Sequence, residues 1–392
     1  YRIVDLTSNV SGPLATMMLA DQGADVIKVE PPDGGDHTRA AANRRAGFSA
    51  SFLNNNRNKR SIVLDLKKPA AVRALLRLAA GADVLVQNFR PGVAERLGVG
   101  EDAVRAAAPR IVYVSISGFG ETGPYAAKPV YDPVIQAFSG LATVQAGSDA
   151  ARPRLLRTIL PDKLTAITAS QAITAALLAR ERTGEGQHVR LSMLEAVLAF
   201  LWSSDMGSQT FVGDEPAIQE AASAADLIYE TADGYITVAV QTDRQWQAMA
   251  RTLGHGEWLD DPRFRTTALR QHNIDERLRL TQEALRTRPT AEWLEMLTAA
   301  EVPCGPVLTR NQVIRHPQVA ALGLVVETEH KEAGRLRQTR AAARFSGTPA
   351  EIRHGAPALG EHTQEILAEL GYSPAEIAAL HAEGTLNPVA QK

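Results

Sequence analysis

The first 120 residues alternate short apolar runs with amphipathic ones, and that alternation constrains the fold most. "RIVDLT" reads as a buried strand, "GPLATMMLADQGA" as a helix and "DVIKVE" as a strand. "RSIVLDL", "KPAAVRALLRLAAGA" and "DVLVQNF" repeat the pattern. "GVAERLGVG" and "EDAVRAAAP" read as helical, and "RIVYVSISGFG" as a strand entering a glycine turn. Strands separated by helices form a parallel sheet covered on both faces. In such sheets ligands collect at the carboxyl ends of the strands.

A long helix follows Asp162 and stops at "RERTG", where cationic residues and a glycine end it. "HVRLSMLEAVLAFLW" continues as a strand and a helix. Residues 203–225 are small and polar and read as a linker after a first α/β region, 1–202. "GYITVAVQT" is a strand, "DRQWQAMARTLG" a helix, and the segment up to "AEVP" holds two further helices. Residues 226–320 therefore read as a smaller mixed α+β domain, and 321–392 end in two short helices.

Several function classes are excluded by what is missing. The formal net charge of −2 gives no basic field for nucleic acid. The one cysteine, Cys304, lacks a nearby cationic partner and reads as packed or idle. "SNVSGP" carries one glycine, so the G-x-G-x-x-G dinucleotide fingerprint is absent. No phosphate-binding G-x-x-x-x-G-K-[ST], H-E-x-x-H or G-x-S-x-G stretch occurs, and the nine histidines are scattered, so no metal site is expected. No charged and apolar leader opens the chain and the longest apolar run is too short and polar to span a bilayer, so a cytoplasmic protein without membrane partners is expected.

Seven segments in order carry a family resemblance. They are "VDLTSNVSGPLATMMLADQGADVIKVEPPDGGDHTR", "NRNKRSIVLDLK", "DVLVQNFRPGVAERLG", "VSISGFGETGPYAAKPVYDPVIQAFSG", "ALLARERTGEGQHVRLSMLEA", "TADGYITVAVQTDRQW" and "EVPCGPVLTRNQVIRHPQV". Together they resemble the CoA-transferase family III proteins, which include CoA transferases and α-methylacyl-CoA racemases. The resemblance implies a large Rossmann-like α/β domain formed by both chain ends and a smaller α+β domain. It also implies an interlocked-ring homodimer. The substrates implied are a coenzyme A thioester and a carboxylic acid acceptor, with no tightly bound cofactor.

By position, Asp162 matches the family's nucleophile. An aspartate at a helix start is also an ordinary cap, and spacing does not separate the two roles. As a nucleophile, a carboxylate attacks the thioester carbonyl and expels CoA thiolate, giving a mixed aspartyl anhydride. The helix N-terminus is expected to keep Asp162 ionised and to offer N–H groups to an oxyanion.

The resemblance places CoA contacts on Val10, Ser11, Leu64, Lys67, Asn88, Phe89 and Arg90. Arg96 and Lys128 follow as phosphate partners, with Arg39 and Arg60 as further cations. In the racemases a histidine follows the "GFGETGP" loop; here Tyr131 and Asp132 stand there, and no histidine lies between positions 37 and 188. An unperturbed tyrosine is a poor base at neutral pH, so transfer leads and racemisation is the alternative. Tyr131 and Asp132 remain accessory positions, as packing or turn residues or as catalytic partners. A third reading is a non-catalytic acyl-CoA binding protein on the same fold. Val10 stands where the formyl-transfer branch has Gln, and "VAVQTDRQW" lacks that branch's consecutive glycines, which disfavours formyl or oxalyl specificity. Residues 241–244 are candidates to close over the acyl group, and Arg152, Arg154 and Arg157 to hold a dicarboxylate.

Overall fold

The computed structural model describes residues 1–386 apart from 214, 216–217 and 221–224. The expected linker and C-terminal segment therefore lie partly outside the described residues. The chain forms two compact units, one of residues 1–220 and 323–392 and one of residues 221–322.

The large unit is built on six strands: β1 (Arg2–Asp5), β2 (Asp25–Glu30), β3 (Lys59–Val63), β4 (Val84–Gln87), β5 (Val112–Ser117) and β6 (His188–Ser192). Their order is β3-β2-β1-β4-β5-β6, and every pairing is parallel. The order reverses between β1 and β4, so the loops after these two strands diverge and open a crevice.

Helices cover both faces. On one, α1 (Ser11–Asp21) packs with the long helix α4 (Leu160–Thr183), α2 (Pro69–Ala80) and α3 (Asp132–Phe138) lying between them in sequence. The buried stripe of α4 runs through Ala166, Ala169, Ile173, Ala176 and Leu177. Its alanines let the helix approach Ala15, Leu19 and Ala20 of α1 closely in one core. On the other face α2 shares a core with the C-terminal helices, through Leu75, Leu78, Ile366, Leu367, Ile377 and Leu380. The chain's two ends thus complete one sheet layer: Ser61 and Val63 of β3 donate their N–H groups to His362 and Thr363. Met193–Trp202 (α5) follows β6 directly, its start fixed by a reciprocal Ser192–Glu195 capping box.

Two buried lysines lie beneath the β1 loop. Lys59 donates to the Asp5 carboxylate at 2.9 Å, to Pro13 O at 2.8 Å and to Asn56 Oδ1 at 2.9 Å. Lys28 pairs with Asp36 at 2.9 Å and donates to Thr7 O at 2.8 Å. Burial alone raises the Asp5 pKa, but Lys59 and Lys28 overcome it and hold the carboxyl ionised. Burial lowers the Lys59 pKa to about 8 against the opposing pull of Asp5. These pairs fix the turn from Thr7 to Ser11. Gly12 completes it, since a Cβ there would lie 2.3 Å from the Thr7 side chain.

The small unit holds β7 (Ile228–Glu230), β8 (Tyr235–Val238) and β9 (Cys304–Pro306), antiparallel in the order β9-β8-β7. Around them pack α6 (Asp243–Thr252), α7 (Thr267–His272), α8 (Ile274–Leu285) and α9 (Thr290–Ala299). After α6 the sequence suggested two helices and three form. Asn273 ends α7, its side chain donating to Leu269 O, and starts α8. Residues up to Glu220 belong with the large unit, where Glu220 bridges to Ser148. The hairpin of β10 (Val325–His330) and β11 (Gly334–Thr339) was not anticipated. The last helices are α10 (Thr363–Glu369) and α11 (Pro374–Ala382), as the sequence suggested. Among the described residues no helix is long and apolar enough to cross a membrane.

Replacing Lys59 by Met leaves Asp5 buried beside one fewer cation. Chemical denaturation is expected to show a loss of about 3–5 kcal/mol, the usual cost of breaking a buried pair. A change within measurement error would mean the pair does not organise this loop.

Candidate active site

The site lies at the switch point of the sheet. Ser8, after β1, donates its N–H to Asn88 Oδ1 at 3.0 Å, and Asn88 Nδ2 donates back to Ser8 O at 2.8 Å. This reciprocal pair ties the two diverging loops. Asn9 takes a positive φ of 68° on the way into α1, a conformation that asparagine tolerates better than most residues.

A cleft of about 190 Å³ opens here, lined by Ser11, Asn88, Phe89, Arg90, Lys128, Tyr131, Asp132, Asp162 and Met193 among others. A neighbouring cavity of about 490 Å³ shares Phe89, Arg90, Pro91, Ile116 and Ser117 with it. Eight of the residues proposed from the sequence thus line one cleft.

The others sit apart. Val10 precedes α1 and lines neither cavity. Leu64 is buried in the core and Lys67 is exposed. Arg96 is exposed at the end of the short helix Val93–Arg96. Arg39 grips Glu30 through two bonds of 2.8 and 2.7 Å and stacks on Phe52 at 3.7 Å. Arg60 binds Asp25, Glu365 and Glu369, clamping α10 to the sheet. Both arginines are thus engaged with carboxylates.

Asp162 occupies the third position of α4, after Pro161, and Ile159 stands at the cap position without a side-chain cap bond. Asp132 supplies the contact instead: its Oδ2 accepts the Asp162 N–H at 3.2 Å. The other Asp132 oxygen accepts from Gln136 Nε2 at 2.6 Å, and Gln136 also bonds Thr158 O and the Leu156 N–H. Asp132 is buried, only 2% exposed, at the first turn of α3. Tyr131 is 72% exposed. Ser11, at the start of α1, lines the same cleft as the Asp162 carboxylate and favours its ionised form.

The helix end is not the main influence on the ionisation of Asp162. Burial first, and then the Asp132 charge, push its pKa up to about 6, against hydrogen bonds from Ser11. Burial likewise raises the Asp132 pKa, opposed by Gln136, the Asp162 N–H and Lys163. The Asp162 N–H is also engaged by Asp132, and so is not an open oxyanion donor.

The sequence reading missed the support beneath Phe89. The Phe89 N–H donates to Gln87 Oε1 at 2.8 Å, and Gln87 Nε2 donates to Ser115 Oγ at 3.0 Å. Ser115 Oγ lies 2.7 Å from His188 Nε2, and His188 Nδ1 contacts Glu101. Directions along this chain agree when Nδ1 carries the proton toward Glu101 and Nε2 accepts from Ser115. It spans three parallel strands, so only the fold brings its members together. Gln136, four residues after Asp132 on one helix, was visible in the spacing. Among the described residues no cluster of ligating side chains could hold a metal ion.

Comparison with known proteins agrees with this geometry. The family profile "CoA-transferase family III" matches residues 1–363. The human succinyl-CoA:glutarate CoA-transferase is 34% identical, the match covering 98% of this chain and 89% of that protein. The succinate–glutarate CoA-transferase of Agrobacterium fabrum is 35% identical, covering 94% of each. The crystal structure of Rv3272 from Mycobacterium tuberculosis superposes with a TM-score of 0.83 at 31% identity, covering 93% of this chain and 98% of that one. The chain belongs to CoA-transferase family III.

With Asp162 in the nucleophile role that the family resemblance implies, a pKa of about 6 gives activity an acid limb. As pH falls through 6 the carboxylate is protonated, and kcat/KM is expected to drop about tenfold per pH unit below that point. Asp132→Asn removes the neighbouring charge, so the acid limb should move to lower pH. A pH–rate profile checks both, and an unmoved limb would dissociate Asp132 from the titration.

Proposed function

We propose that the protein moves CoA from an acyl-CoA thioester to a free carboxylic acid through a covalent intermediate on Asp162. The observation that carries this reading is that Asp162 lines the cleft at the sheet's switch point, its backbone N–H held by the buried Asp132. A cap would be consumed by its helix; this carboxylate is supported from Ser11 and bordered by Phe89, Arg90 and Lys128.

In the first step an Asp162 oxygen attacks the thioester carbonyl carbon. The carbon–sulfur bond breaks, CoA leaves as thiolate, and a mixed anhydride forms. An acceptor carboxylate then attacks the aspartyl carbonyl and expels the donor acid. CoA thiolate finally attacks the acceptor's carbonyl and returns Asp162 as carboxylate. The reaction exchanges one carboxylate and one thioester for another pair, so no external oxidant, reductant or proton source is needed. Ser11 stabilises the attacking carboxylate and the leaving one. The partly desolvated site keeps the carboxylate reactive by withholding water.

CoA is expected along Ser11, Asn88, Phe89 and Arg90, with Lys128 and Arg96 as phosphate partners. Val10, Leu64, Lys67 and Arg39 complete the implied set, Leu64 through its backbone since its side chain is in the core. The glutarate and succinate named for the two relatives make a dicarboxylate the favoured acceptor. Arg152, Arg154 and Arg157 are exposed just before α4 and suit its second carboxylate. A homodimer accounts for the apolar groups left bare on α4 and α5, where Ile167, Leu178, Phe200 and Trp202 are all about half exposed.

The test is acyl exchange followed by mass spectrometry. Succinyl-, acetyl- and propionyl-CoA are each incubated with isotopically labelled acids. Labelled acyl-CoA is expected with the native protein, and a loss of at least about 10³-fold with Asp162→Ala. Deuterium entering the α-carbon of a 2-methylacyl-CoA without transfer would make the protein a racemase. CoA binding with neither reaction would make it a binding protein.

Removing a desolvated carboxylate also affects stability. A folded pKa raised above the unfolded value means that the ionised group destabilises the fold at neutral pH, and that this cost fades as pH falls through 6 toward 4. Asp162→Asn is therefore expected to raise stability at pH 7 by up to about 2–3 kcal/mol, read as a higher Tm, with the gain shrinking at pH 4. A lower Tm at pH 7 would contradict the assigned burial.

A further inference from the structure

The small unit contains a cavity of about 220 Å³ whose lining residues all fall between Ala225 and Thr281. Leu227, Val240, Met249 and Ile274 make one part of its wall apolar. Tyrosine, glutamine and threonine side chains make the larger part of the wall polar, and three further groups, Arg270, Arg277 and Trp246, stand among them.

Arg270 is 4% exposed and already satisfied. It pairs with Asp243 and donates to Phe264 O at 3.0 Å and to Thr267 Oγ1 at 2.8 Å. Arg277 lies in the same lining, and among the described residues no carboxylate pairs with its guanidinium. Burial, and the nearby charge of Arg270, pull its pKa below the ordinary guanidinium value, with only Tyr229 opposing. Trp246 is 2% exposed, yet its buried Nε1–H has no hydrogen-bond partner. Its ring is held in place, stacked on Trp258 at 6.0 Å and lying under Arg270 at 5.5 Å.

A buried donor without an acceptor costs free energy, and so does a desolvated cation without an anion. One anionic acceptor would relieve both. The apolar part of the wall, with Val240 and Ile274, gives a hydrocarbon chain a surface to lie on, and a volume of this size admits only a few carbons. We infer that this cavity binds a short-chain carboxylate, its oxygens facing Arg277 and Trp246 Nε1–H and its chain lying against Ile274 and Val240. A planar guanidinium matches a carboxylate well. The site belongs to the small unit's own sequence, and it is argued without reference to the chemistry of Asp162.

The full-length protein labelled with 5-fluorotryptophan gives one ¹⁹F signal for each of its four tryptophans, and Trp246→Phe identifies the relevant one. Sodium butyrate and sodium phosphate are titrated separately. Butyrate is expected to move the Trp246 signal saturably, and phosphate to leave it unmoved. Arg277→Gln is expected to weaken the butyrate response about 10-fold or more, and Arg277→Lys to recover part of it. The same response is expected in Asp162→Ala, so failed CoA transfer leaves this result unaffected. No movement with butyrate in the native protein, equal movement with phosphate, or an unchanged response in Arg277→Gln would each overturn the assignment.

Discussion

The Asp132 carboxylate accepts the backbone N–H of Asp162, and the site depends on that bond. A helix start leaves N–H groups unanswered, and an aspartate there ordinarily turns back to answer one. Here the N–H of Asp162 itself, at the third helical position, is answered by a second aspartate thirty positions earlier, seated by Gln136. The Asp162 side chain lines the cleft with Ser11. Burial raises both pKa values, and the Asp132 charge raises that of Asp162 further.

The fold supplies the other half of the arrangement. Ser11 can face Asp162 because α1 and α4 lie together on one face of the sheet, their contact narrowed by alanines. The loop that carries Ser11 is held from below by Lys28, Lys59, Asp5 and Asp36, and from the side by Asn88. These contacts converge on the point where the strand order reverses. Buried ion pairs are costly scaffolding, and here they border a loop that must present its backbone N–H at a fixed place.

Much of this was legible in the sequence, and the limits have physical reasons. The six strands and long helices followed from alternation and cap signals, which are local. Strand order was not legible, because pairing is decided between distant segments. Asp162 was found through family resemblance and position, but its neighbour Asp132, thirty positions away, was not tied to it by spacing. The polar hairpin Val325–Thr339 lacked an apolar stripe to announce it. Asn273, which divides two helices, read as one polar residue in an amphipathic run. Arg39 and Arg60 looked like free cations until the fold brought Glu30, Asp25, Glu365 and Glu369 to them. Trp246 and Arg277 lie too far apart in sequence for spacing to join them, and only the packed unit places them in one cavity.

The central claim is that the Asp162 side chain is acylated during turnover. The most direct measurement is chemical trapping: the protein is mixed with succinyl-CoA, quenched with hydroxylamine, digested and read by tandem mass spectrometry. A hydroxamate on Asp162, dependent on the thioester and absent without it, is the predicted result. An unmodified Asp162 under conditions where CoA transfer is seen, or a hydroxamate on Asp132 instead, would contradict the account.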